Sequence, residues 1–374
     1  MVLGQSAGLV TLGHEVFVYG YGGRAEGADT SAARAALTRA VETGIKTRTS
    51  TVTRVPGWSP RDEDAIVSSL SFNRDGLDLL VIHRGFGTRA REIVRAARKG
   101  GVACIATLHD PLSPLFFANR PLAKQAYWRL AEAPLLRRMD AVHVLAPSHA
   151  RYLRDLGVLV PAFAVPNGLD SALFEPPARG EQAFGRSSPT DLSALFLGRL
   201  DTYHKGLDIL LRAIAEGGPR MSVRLQLAGR STPAEEHQLR ALAASLGLED
   251  RVSFLGFLSD PKAAVREADV VVLPSRFDGF GLVVMEALVL GTPVIVSSQA
   301  GASEFVGPEH GAIVVHPDAR SVARALQQAA ESKHELRRAA RSARLYFERE
   351  FKWDDLARKW TEEVERLHLM KSQN

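Results

Sequence analysis

Residues 268–297 read ADVVVLPSRFDGFGLVVMEALVLGTPVIVS. The run opens on an apolar, β-branched stretch, Val270–Leu273, that ends at Pro274. Pro274–Gly281 then forms a turn with two glycines, and Leu282–Leu290 has the length and composition of a helix. Gly291 and Pro293 stop that helix, and Val294–Val296 reads as the next strand. Strands separated by a helix of this length predict a βαβ unit and a parallel sheet. Glycines at a helix N-terminus let the backbone come close to an anion, which the amides and the helix dipole then hold. Asp278 precedes the glycines, and Glu286 sits in the second helical turn. Carboxylates placed there can accept hydrogen bonds from vicinal hydroxyls, as in ribose or hexose. A capped structural turn with a solvated Glu286 is the alternative reading.

Upstream, residues 197–207 read LGRLDTYHKGL and follow a predicted strand, Ala194–Leu197. Arg199 and Lys205 fall in the loop at that strand's C-terminal end, the edge where open α/β sheets bind ligands. A guanidinium fork and an ammonium point charge together suit a diphosphate. Surface charge in a βα loop is the alternative. Two such motifs at one edge of one domain favour a binding site.

The same pattern extends along the chain. Val16–Tyr19, Leu79–Ile82, Val102–Thr107, Ala141–Leu145 and Phe163–Val165 read as one series of strands. Ala194–Leu197, Val223–Ala228, Val252–Leu255, Val270–Leu273, Val294–Val296 and Ala312–Val315 read as a second. Helical stretches lie between them, such as Thr88–Lys99, Leu207–Glu216 and Ala234–Leu246. Two series predict two doubly wound domains. The expected division is 1–172, a polar Pro- and Gly-containing linker at 173–192, a second domain at 193–345, and a helical tail within Ala323–His368. The start departs from the usual order. Leu3–Leu12 looks helical and runs into Val16–Tyr19, so the chain reads as beginning after a first strand and its Gly-rich turn.

The N-terminal series has its own candidates. His109, in TLHD at 107–110, ends a strand and could bond a hydroxyl or assist proton traffic; a satisfied core histidine is the alternative. His83 is a weaker case of the same kind. Pro166-Asn167-Gly168 is a turn that marks the domain junction. Gly301-Ala302-Ser303-Glu304 is another small-residue loop at the ligand edge. Arg89, Arg91, Arg95, Arg98 and Lys99 make one helix basic, which suits either solvent or anionic lipid.

Composition narrows the classes further. The chain has 374 residues, 45% hydrophobic and 24% charged, which is ordinary for folded globular domains. No apolar run reaches the ~18 residues of a membrane span. The single cysteine, Cys104, excludes an internal disulfide or a Cys-based zinc site and suits a reducing, cytoplasmic setting. Net charge is +5, yet residues 1–168 hold 21 Lys and Arg against 14 Asp and Glu. The basic half suggests an anionic partner, with peripheral contact at the inner membrane face as one option. A nucleic-acid partner would leave the phosphate and hydroxyl motifs of the second half unexplained.

Taken together these pieces resemble the retaining, nucleotide-sugar-dependent glycosyltransferases of the GT-B fold, family 4 type. The matching stretches are LGHEV (12–16), TLHD (107–110), VPNGLD (165–170), LGRLDTYHKGLDILL (197–211), LGF (255–257), ADVVVLPSRFDGFGLVVMEAL (268–288), GTPVIVS (291–297) and GASEFV (301–306). The resemblance implies two Rossmann-like domains facing across a cleft, with the donor on the C-terminal domain and the acceptor on the N-terminal one. It also implies a last helix, 346–374, that crosses back to the first domain. Arg199 and Lys205 would hold the donor diphosphate, and Glu286 the ribose hydroxyls. Asp278, with the backbone of Gly279, Phe280, Gly281 and Leu282, would hold the transferred sugar and β-phosphate. His109 would line the reaction centre, and Glu304 is a lesser donor-pocket candidate. The family usually has Glu where this chain has Asp278, one methylene shorter. No metal or cofactor is implied beyond the nucleotide-diphosphate sugar itself. The acceptor is left open, a lipid-linked or anionic one included. A non-catalytic nucleotide-sugar-binding or partner protein of the same fold is the rival reading.

Overall fold

The structure, a computed structural model, describes Gln5, Leu9, Thr11 and Leu12 and residues 79–84, 90–118, 121–174, 191–217 and 222–371. The expected strand Val16–Tyr19 lies outside these residues, as does most of the expected linker. The chain divides into two units. One holds Met1–Leu112, Phe117–Gly168 and Phe351–Asn374, and the other Ser113–Phe116 and Leu169–Glu350.

In the first unit β1 (Leu79–Arg84), β2 (Ala103–Leu108), β3 (Ala141–Val144) and β4 (Ala162–Ala164) pair side by side and all parallel. The helix Arg91–Lys99 buries Val94 and Ala97 and returns the chain from β1 to β2. The last helix, Trp353–Lys371, belongs to this unit: Leu356 and Trp360 pack in one core with Ile105, Ala141, Phe163 and Val165. Burial of its apolar stripe, rather than propensity, holds such a charged helix in place.

The second unit carries a six-stranded parallel sheet. Its strands are β5 (Leu192–Leu197), β6 (Val223–Ala228), β7 (Val252–Gly256), β8 (Val270–Leu273), β9 (Val294–Ser297) and β10 (Ala312–Val315). They lie in the order β10-β9-β8-β5-β6-β7. The chain therefore winds one way from β5 and the other way from β8, and β5 and β8 are neighbours. That reversal opens a crevice at their C-terminal ends, where doubly wound sheets take ligands.

Both sheets use the same device to fix register. Asp140, before β3, bonds Cys104 at the start of β2, taking its N–H at 2.7 Å and donating to its carbonyl at 2.8 Å. Asp269, before β8, does the same to Ser193 at the start of β5, at 2.9 and 2.8 Å.

The strands fall within two residues of their expected limits, and some outer boundaries move. Leu192, assigned to the linker, pairs with Val223 as the first residue of β5. Residues 346–350, assigned to the returning helix, complete the helix Lys333–Glu350 in the second unit. The tail expected to be helical is built of three helices, Ala319–Glu331, Lys333–Glu350 and Trp353–Lys371. The last break falls where Phe351 is drawn into the core. No helix among the described residues is long and apolar enough to cross a membrane.

The first unit holds a buried polar core residue the sequence did not mark. His143, on β3, donates from Nε2 to the Val165 carbonyl (2.8 Å), and its Nδ1 meets the Thr107 hydroxyl at 3.1 Å. Burial lowers its pKa to about 4, against the pull of the Val165 bond. The unfolded imidazole titrates near 6.5, so the stability this neutral histidine supports is present above that pH. It falls as the pH drops from about 6.5 to about 4, by roughly 1.4 kcal/mol per pH unit. Urea midpoints measured across that range should show the slope, and His143→Gln should reduce it, leaving the part due to His83, whose pKa burial lowers to about 3.

Candidate functional site

The loops that follow β5 and β8 are tied together across the switch point. The amide of Arg276 donates to the His204 carbonyl (3.0 Å), and its guanidinium donates to the Tyr203 carbonyl (2.8 Å). The same guanidinium forks onto Asp208 at 2.6 and 2.7 Å. The His204 ring stacks on Phe277, centroids 4.2 Å apart. Lys205 Nζ meets Asp278 Oδ2 at 2.6 Å, with side chains only 19% and 12% exposed. So the two motifs read separately in the sequence form one surface.

Asp278 uses its other oxygen to accept the Phe280 amide at 3.3 Å. Its own amide donates to Gln299, and its carbonyl accepts from Gly301. That fixes the turn Gly301–Phe305, where Glu304 is exposed, to the same loop. Gly281 starts the helix Leu282–Val289 in a left-handed conformation, φ 84°, and supplies no side-chain cap. Within the first turn the Val284 amide donates to the Gly281 carbonyl at 3.0 Å, and with no side chain capping the helix start an anion can be taken there.

Arg199 stands at the end of β5 with its side chain 59% exposed. Its Nη2 lies 3.2 Å from His204 Nδ1 and 3.3 Å from Asp201 Oδ2. Glu286 is half-buried, and burial, with Asp170 nearby, raises its carboxyl above the usual range. A carboxyl in that state gains from hydroxyl donors that bond its ionised form. Among the described residues no group of three or more His, Cys, Asp or Glu is placed to hold a metal.

The structure therefore brings together Arg199, Lys205, Asp278, Gly279, Phe280, Gly281 and Leu282 at the ends of β5 and β8, with Glu286 on the helix that follows and Glu304 on the adjoining turn. His109 belongs to the first unit, just after β2. Its ring stacks on His83, and His83 Nδ1 lies 3.3 Å from His109 Nε2. Its Nδ1 is buried without a hydrogen-bond partner. Burial lowers its pKa, with Asp110 opposing. On the basic helix, Arg91 donates to the Leu130 carbonyl at 2.6 Å and Arg98 pairs with Asp140 at 3.3 Å, so two guanidiniums of the expected stripe are engaged within the unit.

Sequence reasoning gave no role to Arg230 and Phe257. They follow β6 and β7 at the same sheet edge. Phe257 is 61% exposed, and the Arg230 guanidinium lies 4.2 Å above its ring. The signal available was a large aromatic just past a strand that ends in glycine.

Comparison with known proteins identifies the family and the fold. The model of glycosyl transferases group 1 matches residues 181–345, and that of the glycosyl transferase 4-like domain matches residues 1–168. The chain is 30% identical over 258 residues to the lipopolysaccharide core biosynthesis mannosyltransferase LpcC of Rhizobium leguminosarum bv. viciae, covering 66% of this chain and 70% of that one. Among solved structures, sucrose-phosphate synthase from Thermosynechococcus elongatus superposes with a TM-score of 0.71 at 23% identity, covering 99% and 92% of the two chains. Anabaena HepE in complex with UDP-glucose superposes at 0.69 and 19% identity, covering 97% and 94%. The fold of these neighbours is GT-B.

Proposed function

The chain belongs to the group 1 glycosyl transferases, and from that premise we propose that it moves a sugar from a nucleotide-diphosphate donor to an acceptor hydroxyl with retention at the anomeric carbon. The observation that carries the reading is the joined pair of loops, which sets two cations and an uncapped helix N-terminus at one switch point. Structures of a neighbour with UDP, and with UDP-glucose, support a nucleotide-sugar donor.

In this reading Arg199 and Lys205 take the diphosphate, and the amides of Gly279, Gly281 and Leu282 take the β-phosphate. A carboxylate accepts up to about four hydrogen bonds. Asp278 can therefore hold Lys205 and the Phe280 amide and still accept from a sugar hydroxyl. Glu286 takes the ribose hydroxyls, and Arg230 with Phe257 offers a stacking surface for the base. Glu304 is a lesser contact to the donor pocket.

The bond from C1 of the sugar to the phosphate oxygen breaks, and its electron pair leaves with the diphosphate. Fixed cations aimed at that growing charge are the main source of rate. The acceptor oxygen bonds to C1 on the same face, and its proton passes to the departing phosphate oxygen. No metal enters this scheme, so activity should survive EDTA. The acceptor is a hydroxyl whose carrier, lipid-linked or free, is to be found by assay.

Thermal-shift titration against UDP-, GDP- and ADP-sugars tests the donor, because a ligand at about 100 times its Kd stabilises by ~2.7 kcal/mol. No shift with any of them would reject the reading. A shift with no transfer to any acceptor would favour a non-catalytic binding protein.

Glu286 gives a second check. Its raised pKa means that its contribution to stability is present below the unfolded value and lost as pH rises through the folded one. Glu286→Gln should therefore raise the melting temperature of the donor-free protein at pH 7–8 and not at pH 4. The same variant should bind nucleoside diphosphate more weakly.

A further inference from the structure

We infer that His204 is a positioning residue that aims Arg199 at the donor diphosphate. The inference rests on the diphosphate reading of Arg199 given above.

Arg199 is mostly solvent-exposed, and a free guanidinium on a long side chain loses considerable rotamer freedom when it grips a ligand. Here one of its nitrogens, Nη2, is already held by His204 Nδ1 and by Asp201 Oδ2. That pairing leaves the rest of the planar fork for a ligand, and part of the ordering is done before the ligand arrives.

His204 is itself fixed from three sides. Its amide donates to Asp201 Oδ1 at 2.8 Å, its carbonyl accepts the Arg276 amide at 3.0 Å, and its ring lies on Phe277 at an interplanar angle of 23°. The ring therefore rests on the β8 loop while its nitrogen reaches the cation of the β5 loop. Orientation of Arg199 is in this way tied to the loop that carries Asp278 and Gly281.

Only an unprotonated Nδ1 can accept from a guanidinium. Burial and the neighbouring Lys205 hold the imidazole below its usual range; Asp278 and Asp201 pull the other way, and Arg199 adds to the lowering.

The test compares a nucleoside diphosphate with its monophosphate, using whichever of UDP, GDP and ADP the wild-type protein binds most tightly, by calorimetry. Arg199→Ala should remove much of the preference for the diphosphate. His204→Phe keeps a ring for Phe277 but has no acceptor. It should weaken diphosphate binding about two- to tenfold, the range of one net hydrogen bond, with monophosphate binding unchanged. His204→Asn, which places an acceptor near the Nδ1 position, should restore most of the preference. In the Arg199→Ala background, His204→Phe should have no further effect. A His204→Phe variant that loses both ligands equally, or whose loss adds to that of Arg199→Ala, would overturn the positioning role, as would an Asn variant no better than Phe. If Arg199→Ala leaves the preference intact, the diphosphate assignment fails and this inference with it. If Arg199→Ala removes it and His204→Phe does not, only the inference fails.

Discussion

Lys205→Ala should weaken nucleoside diphosphate binding more than Arg199→Ala does. Each variant removes a charge-assisted contact worth roughly 1.5–3 kcal/mol, or about 10- to 150-fold in affinity. The two sites differ in what remains. Arg199 is 59% exposed, so water replaces much of what it supplied. Lys205 and Asp278 are 19% and 12% exposed. Without the ammonium, a half-buried carboxylate stands unpaired where a polyanion must bind, and repulsion adds to the lost contact. The Lys205→Ala effect should lie at the top of the range. Adding Asp278→Asn should recover part of it by removing the stranded charge. Calorimetric titration of the four proteins decides the matter, and unchanged affinity in both single variants would sink the diphosphate assignment.

That asymmetry was not legible in the sequence, although the residues were. Val270–Leu273 and Val223–Ala228 read correctly as strands because buried parallel strands are continuous apolar runs. Gly281 marked a helix start because it stands between a loop and an apolar periodic segment. The partners of the charged residues were hidden. Lys205 and Asp278 lie 73 positions apart, and Arg276 and Asp208 lie 68 apart. Only the strand order, which sets β5 against β8, makes them neighbours. Local periodicity carries no information on that order. The charged tail read correctly as helical, but its breaks were not legible. Its three helices share one helical composition, and the break at Phe351 is set by where that ring is buried.

Strand adjacency also explains why a sequence pattern of separate motifs yields one surface. The βα loop after β5 and the one after β8 start one strand spacing apart, and each supplies what the other lacks. The first carries the cations Arg199 and Lys205. The second carries the acid that anchors Lys205 and the helix start at Gly281. Lys205 of the first loop and Arg276 of the second are anchored across the gap, on Asp278 and on Tyr203 and Asp208, so neither would be held by its own loop alone. Site geometry should therefore be sensitive to the backbone contact between them.

Gly206→Ala tests that contact. Gly206 has φ 67°, and a Cβ built on it would lie 2.2 Å from the Pro274 carbonyl oxygen. The left-handed conformation alone costs a non-glycine residue about 1–2 kcal/mol. The clash cannot be relieved by a side chain turning away, because the obstructing atom is backbone at the head of the β8 loop. Together they should cost about 3–4 kcal/mol, the scale of the more damaging single substitutions. At roughly 2–4 °C per kcal/mol for a unit of this size, melting should drop by about 10 °C. Separation of the loops should also part Lys205 from Asp278 and lower nucleoside diphosphate affinity. Gly247→Ala is the matched control, with φ 66° and nothing within 4 Å of the added carbon. It should show the conformational cost and keep full affinity. Equal losses of stability in the two variants, with affinity retained in both, would mean that the β5 and β8 loops are not in contact at Gly206 and that the joined site does not exist as described.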